Sequence, residues 1–436
     1  MASAHLSRTF DQVGNRQTWT LSVWIKRTGI GGQQNFFGSF PQSTDYERIM
    51  FNNDKIYIAE VAGGSTNWEC ETSAVYRDTS GWYHLVLRHD TTQATANDRI
   101  RLYMNGVQQT FATNTQPAQN RGTAINTADV HKIGMGNSSE YTDCIMAHFH
   151  WCDGQSYAPT EFGETDSTTG IWKPKTSPSV SYGTNGFFLK FDNSANMGLD
   201  SGGGSHNWTT NGTIIQAKDT PSNVFACLNR LQRYDDYNLT LINNRFTNTS
   251  AAAHRQVHST LSALSGKYYA EVKVTTLGGT YPQIGVINPD KAVFTSYLGN
   301  TDSGYGYLSN GNKQYNNSAE SWGDTYTTND IIGIAMDLDN HKLYFSKNGT
   351  FQQSGDPTSG STGTGAAYSL ATGVFYSFGQ SAYDSGTDPV YDWNFGNGYF
   401  GTTAVASAGT NASGNGVFEY DVPAGYTALS TKGLNT

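Results

Sequence analysis

Short runs in which apolar and polar residues alternate recur along the whole chain. In TWTLSVWIKR, residues 18–27, one face carries Trp19, Leu21, Val23 and Ile25, and the other face carries the residues between them. A period of two is that of a β-strand with one face on a core. No apolar period of 3.6 residues is sustained over a useful length. The pattern therefore predicts an all-β fold.

Two of these runs end in almost the same turn. RLYMNGVQQ occupies residues 101–109, and KLYFSKNGTF occupies residues 342–351. Asn-Gly after a short alternating run favours a type I′ hairpin, because both central residues of that turn need a positive φ. In the first hairpin we expect Ile100, Leu102 and Met104 to face the core. The hairpins lie far apart in the chain, and each is expected to belong to its own sandwich.

A polar, glycine-rich stretch separates the two groups of strands. It begins with NSANMGLDSGGGSHNWTTNGT at residues 193–213. The sequence thus predicts two antiparallel β-sandwiches of jelly-roll type in tandem, at residues 1–192 and 265–436. Residues 193–264 are predicted to be a polar connector that is partly docked, and the second sandwich is expected to carry a C-terminal extension.

Composition narrows the class of protein. The 436 residues include 48 Gly and 26 Tyr, with 13% aromatic and 14% charged residues, and the net charge is −9. Disordered chains lack aromatic residues, and nucleic-acid binding needs a basic surface, so we expect a folded chain that does not bind nucleic acid. No apolar run is long enough to span a bilayer, and MASAHLSRTF lacks the features of a secretory signal. We therefore expect folding in a cytoplasm, without a membrane partner.

The four cysteines are too few for a disulfide scaffold in a chain of this length. Cys144 and Cys152 stand at the two ends of CIMAHFHWC, which the pattern predicts to be one strand. Eight steps of roughly 3.3 Å separate them by about 26 Å, whereas the Cα atoms of a disulfide lie about 6 Å apart. We expect free thiols.

Catalytic and metal-binding patterns are weak. Some β-sandwich enzymes that cleave glycosidic bonds place carboxylates on one strand face as Glu-x-Asp-x-Glu, and the nearest approach here is Asp337-Leu338-Asp339. His148 and His150 could share a strand face and suit zinc, but the sequence shows no third ligand nearby. We favour an ordinary half-buried strand at the histidines, and we expect no catalytic residue and no cofactor.

Tyrosines in the second half are the candidate ligand-binding residues. Tyr297, Tyr305, Tyr307 and Tyr315 cluster around loops rich in glycine and asparagine. Tyrosine gives a rigid, amphipathic contact surface, and the small residues around it give adaptable hydrogen bonds. The alternative is that the rings only pack on neighbouring strands or at a subunit interface.

Several motifs resemble known families. TLSVWIKR, GWYHLVLRHD and RIRLYMNGVQQ are similar to strands of the laminin-G/concanavalin-A-like sandwich, over about residues 5–190. That resemblance implies a lectin-like fold and leaves open a structural calcium ion at the rim, with no ligands assigned. GKYYAEVKV, NDIIGIAMDLDNHKLYFSKNG and WNFGN resemble a SPRY domain, over about residues 265–400. The long loops are rich in Gly, Ser, Thr and Asn, so no SPRY ligand pocket can be carried across.

The whole arrangement of the chain gives a third resemblance. EFGETDSTTGIWKPK, YGTNGFFLKF and VPAGYTALSTKGL are similar to segments of virion-associated proteins of tailed phages from aquatic bacteria. This resemblance implies a non-enzymatic virion surface protein, such as a fibre, knob or decoration subunit. Its expected partners are other virion proteins and host cell-surface polysaccharide, and a homo-oligomer is expected. The alternative is a tail-associated enzyme that degrades polysaccharide.

Overall fold

The computed structural model describes residues 4–137, 140–232, 237–240, 244–249, 253–279 and 282–435. Within these ranges, regular structure consists of strands and of short 3-10 turns at Ala96–Asp98, Pro159–Glu161, Pro289–Lys291, Gln352–Ser354, Gly360–Thr362 and Gly433–Asn435. None of the described helices is long and apolar enough to cross a membrane. The all-β prediction is confirmed. The chain divides into two compact units, Met1–Gln216 and Ala217–Thr436.

The first unit is a sandwich of two large sheets. Its strands are β1 (His5–Thr9), β2 (Thr18–Arg27), β3 (Gln33–Ser39), β4 (Tyr46–Asn52), β5 (Lys55–Ala62), β6 (Ser65–Thr72), β7 (Tyr83–Asp90), β8 (Ile100–Met104), β9 (Val107–Gln108), β10 (Phe111–Thr115), β11 (Val130–Ile133), β12 (Cys144–Asp153), β13 (Gly163–Thr165), β14 (Trp172–Pro174), β15 (Phe187–Leu189) and β16 (Thr209–Asn211). Among the described residues, one sheet has the order β10-β6-β5-β4-β3-β11-β1-β16, and the other has the order β15-β12-β2-β7-β8-β9. β13 and β14 form a separate hairpin.

The core of the first unit lies between these sheets, as the alternation predicts. Trp19, Leu21, Val23 and Ile25 on β2 all belong to it. The predicted inner residues of β8 do as well, and Asn105 and Gly106 have the positive φ angles of 49° and 80° that the hairpin requires. All four cysteines are free thiols.

The segment predicted to be a connector, residues 193–264, supplies strands to both units. β16 pairs with β1 at the edge of the first sandwich, and Trp208 next to it is buried in that core. Beyond residue 217, the strands Arg245–Asn248 and His254–His258 pair with strands of the second sandwich. The segment is therefore divided between the two units.

The second unit is also a two-sheet sandwich. Its strands are β17 (Tyr237–Thr240), β18 (Arg245–Asn248), β19 (His254–His258), β20 (Lys267–Thr276), β21 (Gln283–Ile287), β22 (Gly304–Leu308), β23 (Asn312–Tyr315), β24 (Ser318–Ser321), β25 (Ile331–Asp337), β26 (Lys342–Lys347), β27 (Thr350–Phe351), β28 (Tyr368–Ser369), β29 (Ser377–Tyr383), β30 (Val390–Asn394), β31 (Tyr399–Phe400), β32 (Thr403–Ala404) and β33 (Thr427–Ala428). In the part of the unit that the structure describes, one sheet runs β17-β18-β30-β20-β25-β26-β27, with β28 and β33 beside it, and the other runs β19-β29-β21-β22-β23-β24.

The C-terminal extension packs on the outer face of the first of these sheets. Phe418 and Tyr426 form a small cluster there with Tyr269 of β20. Next to them, the buried carboxylate of Glu271 accepts hydrogen bonds from the backbone N–H groups of residues 419 and 420, at 2.8 and 2.9 Å. Burial raises the pKa of Glu271 to about 7, and these hydrogen bonds oppose that rise. The extension is thus part of the sandwich.

Candidate functional site

The structure separates the four predicted tyrosines. Tyr305 and Tyr307 point into the core of the second unit, with relative exposures of 4% and 0%. Tyr315 is half-buried, and its ring stacks on Tyr305 at 4.5 Å. Tyr297 lies in a surface loop, where its hydroxyl donates to Asn317 Oδ1 at 2.5 Å. Burial leaves Tyr305 and Tyr307 no free ring face for a ligand, so the predicted tyrosine site does not exist as one cluster.

The alternation that buries these tyrosines also shapes the opposite face of their sheet. β22 reads GYGYL, so Gly304, Gly306 and Leu308 lie on the outer face. A Cβ at Gly306 would come within 2.5 Å of the side-chain oxygen of Gln283. The missing side chain on β22 therefore lets Gln283, from the neighbouring β21, lie across it.

Gln283 connects three segments through its carboxamide. Its Nε2 donates to Oε1 of Gln314 on β23 at 2.7 Å. Its Oε1 accepts a hydrogen bond from the backbone N–H of Gly299, in the loop after β21, at 2.8 Å. Both ends of this buried amide are thus used, which fixes its orientation. The Nε2 of Gln314 has no partner within the described part of the chain.

The loop after β21, residues 288–303, is fixed to the same face by Leu298. This side chain is fully buried, and its backbone N–H donates to Ser381 Oγ at 2.9 Å. Its methyl groups lie over Gly285 and Gly379, where added Cβ atoms would meet them at 3.2 and 3.5 Å. Because these glycines on adjacent strands lack side chains, they leave room for the side chain of Leu298 to lie against the sheet. Tyr297 precedes Leu298 in the chain, so the burial of Leu298 also holds Tyr297 at the edge of this face.

These elements enclose a groove of about 260 Å³ on the outer face of the sheet. It is lined by His254, Gln283, Tyr297, Leu308, Asn310, Asn312, Gln314 and Ala319. Sequence analysis finds only Tyr297 of this set. The others come from β19, β21, β22, β23 and β24 and from the turn between β22 and β23. The sequence signal that could have found them is the polar alternation of NKQY next to the glycines of GYGYL.

Among the described residues, no formally charged side chain lines this groove. Four lining residues carry carboxamides, two carry aromatic rings and two are aliphatic. The rings of Tyr297 and His254 meet at a tilt, with centroids 5.2 Å apart. Burial lowers the pKa of His254, so its imidazole is neutral at pH 7. The Nδ1 of His254 has no hydrogen-bond partner among the described residues.

Comparisons with known families fit this architecture. A family model described as the concanavalin A-like lectin/glucanases superfamily matches residues 3–154, and the SPRY domain model matches residues 267–377. The chain carries a concanavalin A-like domain followed by a SPRY domain.

Individual relatives are distant. An ATP-dependent RNA helicase DDX1 from Xenopus laevis is 33% identical over 91 residues, which is 21% of this chain and 12% of the helicase. The match thus covers a small part of that protein. Among solved structures, the SPRY domain of human HERC1 is 14% identical, with a TM-score of 0.32, and 38% of this chain and 96% of that chain are covered. The TRIM65 PSpry domain is 14% identical, with a TM-score of 0.29, and the covered shares are 39% and 91%.

The concanavalin A-like domain contains a serine–histidine pair that the sequence does not reveal. Ser22 Oγ and His84 Nε2 lie 2.8 Å apart and are buried, and the indole N–H of Trp172 donates to His84 Nδ1 at 2.9 Å. Because an indole nitrogen can only donate, Nδ1 must carry no proton. In the neutral imidazole the proton then sits on Nε2 and is donated to Ser22. His84 therefore cannot accept the serine proton.

The two histidines weighed as zinc ligands lie at a β-bulge. The register of β12 against β2 shifts between Ala147 and His150, and His148 has a φ of +48°. His150 stacks on Phe188 at 3.9 Å, and its Nδ1 lies 2.9 Å from the hydroxyl of Tyr182. In the described ranges, no group of three or more His, Cys, Asp or Glu residues is placed to hold a metal ion. A calcium ion at the rim stays a prediction.

The carboxylate pair weighed for catalysis holds a turn of the SPRY domain. Asp337 is fully buried and pairs with Lys267 at 3.0 Å. It also accepts hydrogen bonds from the backbone and the side chain of Asn340, both at 2.9 Å. Asp339 Oδ1 accepts from the backbone N–H of Gly266 at 2.7 Å. Each of these contacts stabilises the turn and its attachment to β20.

Proposed function

We propose that this chain is a non-enzymatic surface protein of a tailed-phage virion, such as a fibre, knob or decoration subunit. Its task is adhesion, to host cell-surface polysaccharide or to other virion proteins. It works as a homo-oligomer and is assembled in the host cytoplasm. The segments EFGETDSTTGIWKPK and YGTNGFFLKF support the virion assignment, because they resemble segments of virion-associated proteins of tailed phages.

The observation that carries the binding role is the groove of the SPRY domain. It lies on the face of a hydrogen-bonded sheet, and its described lining residues offer carboxamides and rings without a charged side chain. Pre-formed concave sites with a few oriented polar groups are typical of binding proteins. Catalysis of glycosidic cleavage needs a pair of carboxyl groups across the bond, and the groove has none among its lining residues.

The virion assignment is tested on intact particles. Antibodies raised against the chain, with gold labelling in electron microscopy, should decorate the particle surface, and the site of the label distinguishes capsid from tail. Absence of the chain from purified particles would overturn the assignment.

The adhesion role is tested with the purified full chain. If it binds the host, the purified chain should bind host cells and reduce the adsorption of phage particles to them. If it binds another virion protein, it should compete with the virion's own copies for attachment. Release of oligosaccharides from host polysaccharide by the purified chain would instead establish the enzyme alternative. A catalytically silent chain that binds neither cells nor virion proteins would remove the adhesion proposal.

A further inference from the structure

The described residues that line the groove of the SPRY domain are uncharged. Its eight lining residues include no Asp, Glu, Lys or Arg, and His254 is kept neutral by burial. An acidic or basic ligand placed here would lose water without gaining an opposite charge, which is costly. The net charge of −9 adds a long-range repulsion against anionic ligands.

Most of the free hydrogen-bonding groups on this surface are carboxamides, and Nδ1 of His254 is a further one. Gln314 Nε2 and the side chain of Asn312 have no hydrogen bond within the described residues, and Asn310 uses only its Oδ1, as the acceptor for Asn312 N at 3.1 Å. A carboxamide offers both a donor and an acceptor in one plane. It therefore matches a sugar hydroxyl, which also donates and accepts. Several amides side by side match neighbouring hydroxyls on one ring.

The other lining residues of the groove suit the apolar C–H face of a sugar ring. The rings of Tyr297 and His254 meet at one side, and Leu308 and Ala319 contribute aliphatic surface. Aromatic rings bury apolar C–H surface while their polar edges stay hydrated. A volume of about 260 Å³ is slightly below the roughly 300–1,000 Å³ of drug-sized pockets, and suits one small unit of a larger chain.

A peptide ligand fits the position of the groove less well. Peptides that bind sheets gain most of their affinity from backbone hydrogen bonds at an exposed edge. The groove lies on the face of the sheet, where β21, β22, β23 and β24 already pair with one another. A ligand on this face therefore meets side chains, whereas the free backbone edge of the sheet lies along the far side of β24.

From these four observations we propose that the groove binds an uncharged saccharide unit, held by Asn312 and Gln314 and packed against Tyr297. This inference rests on the proposed adhesion function and specifies its ligand class. Gln283 has a positioning role, since it orients Gln314 and holds the loop through Gly299.

The experiment presents the full-length chain to an array of neutral oligosaccharides (hexose and N-acetylhexosamine oligomers) and acidic ones (uronic acid and sialylated oligomers). Titration calorimetry of the best neutral probe then compares the wild type with Asn312→Ala and Gln314→Ala. Each variant should lose about tenfold in affinity, which corresponds to one lost hydrogen-bonded contact. Gln108→Ala, which removes an exposed carboxamide of β9 in the other domain, is the matched control and should bind as the wild type does.

The outcomes separate this inference from the adhesion proposal. Binding to neutral probes that falls in the two groove variants, with unchanged melting temperatures, supports the saccharide site. Selective binding of acidic probes, or neutral binding that both groove variants retain, overturns it. If the chain adheres to host cells or virion proteins but binds no saccharide, only the saccharide inference is overturned. The same holds if the groove binds a peptide. Loss of all adhesion overturns the proposed function itself.

Discussion

Asn105 and His84 are joined by two hydrogen bonds that extend the β7–β8 ladder beyond its last regular pair. The backbone N–H of Asn105 donates to His84 O at 2.8 Å, and the backbone N–H of His84 donates to Asn105 Oδ1 at 2.7 Å. Asn348 and Ile331 in the SPRY domain form the same pair of bonds, both at 2.8 Å. The side chain of each Asn-Gly turn thus takes the place of a backbone acceptor.

Substitutions at Asn105 can separate this hydrogen bond from the backbone conformation. Asn105→Gly keeps the positive φ and removes the acceptor, so the free energy of unfolding should fall by about 0.5–1.5 kcal/mol. Asn105→Ala adds the strain of a left-handed residue and should cost about 1 kcal/mol more. Asn105→Asp keeps the acceptor and should be nearly neutral. Urea unfolding measures all three, and an equal loss in the Gly and Asp variants would contradict the role of the side chain.

The same hairpins show how much of the fold can be predicted from the sequence. The alternation of TWTLSVWIKR and the Asn-Gly turns are local signals, and the structure confirms the strands and the core-facing residues they predict. The bulge at His148 is not local, because an extra residue in one strand is visible only against the register of its partner. Met146 and Phe149 both pack against the core although they are three positions apart, which strict alternation along one strand does not predict.

The candidate site was harder to predict than the fold for a related reason. In GYGYL the period of two shows that the tyrosines share a face, but both faces of that sheet are covered in part, one by the core and the other by the loop of residues 288–303. Which face receives the tyrosines is decided by tertiary packing. The groove is formed by segments far apart in the chain that meet only in the folded sheet, such as those of His254 and Gln314.

Gly306 is expected to be necessary for the arrangement of the groove. In Gly306→Ala the new Cβ would lie 2.5 Å from Gln283 Oε1, so Gln283 should move and lose its bond to Gln314. The side-chain amide resonance of Gln283 in NMR spectra should shift, and affinity for the neutral saccharide probe should fall about tenfold. Gly122→Ala is the control, because its Cβ would meet its nearest neighbours at an ordinary 3.5 Å or more. An unmoved Gln283 resonance in the Gly306 variant would contradict this role.

Glu47 is expected to give the concanavalin A-like domain a pH-dependent stability. Glu47 and Glu60 are cross-strand partners on β4 and β5, and Glu47 Oε2 accepts from the backbone N–H of Ile125 at 2.7 Å. Burial, with a smaller contribution from the charge of Glu60, raises the pKa of Glu47 from 4.5 to about 8. Arg16 opposes the rise, and Arg121 pairs with Glu60 at 2.6 Å.

The sign of this effect follows from the proton count. Between pH 4.5 and about 8, the folded state keeps a proton on Glu47 that the unfolded chain has released. This stabilisation is complete below the lower value and is lost as the pH rises, by up to about 1.4 kcal/mol per pH unit. Glu47→Gln should remove this contribution from the pH dependence of urea unfolding measured at pH 6, 7 and 8, while the contribution of Glu271 in the other domain remains. The exposed Glu164→Gln should keep it, and an unchanged slope in Glu47→Gln would disprove the assignment.

Trp172 is expected to set the tautomer of His84. In Trp172→Phe an aromatic ring remains but the donor to His84 Nδ1 is lost, so the buried nitrogen is left unpaired at a cost of about 1–3 kcal/mol. The imidazole can then move its proton to Nδ1, and Nε2 becomes free to accept from Ser22 Oγ. Nitrogen-15 chemical shifts of the His84 ring measure the change directly. The wild type should show a protonated Nε2 and the variant a protonated Nδ1, while His89, which lies 3.2 Å from the carbonyl of Gln17, should not change. A protonated Nδ1 in the wild type would contradict the donor role of Trp172, and it would leave His84 Nε2 able to accept the Ser22 proton.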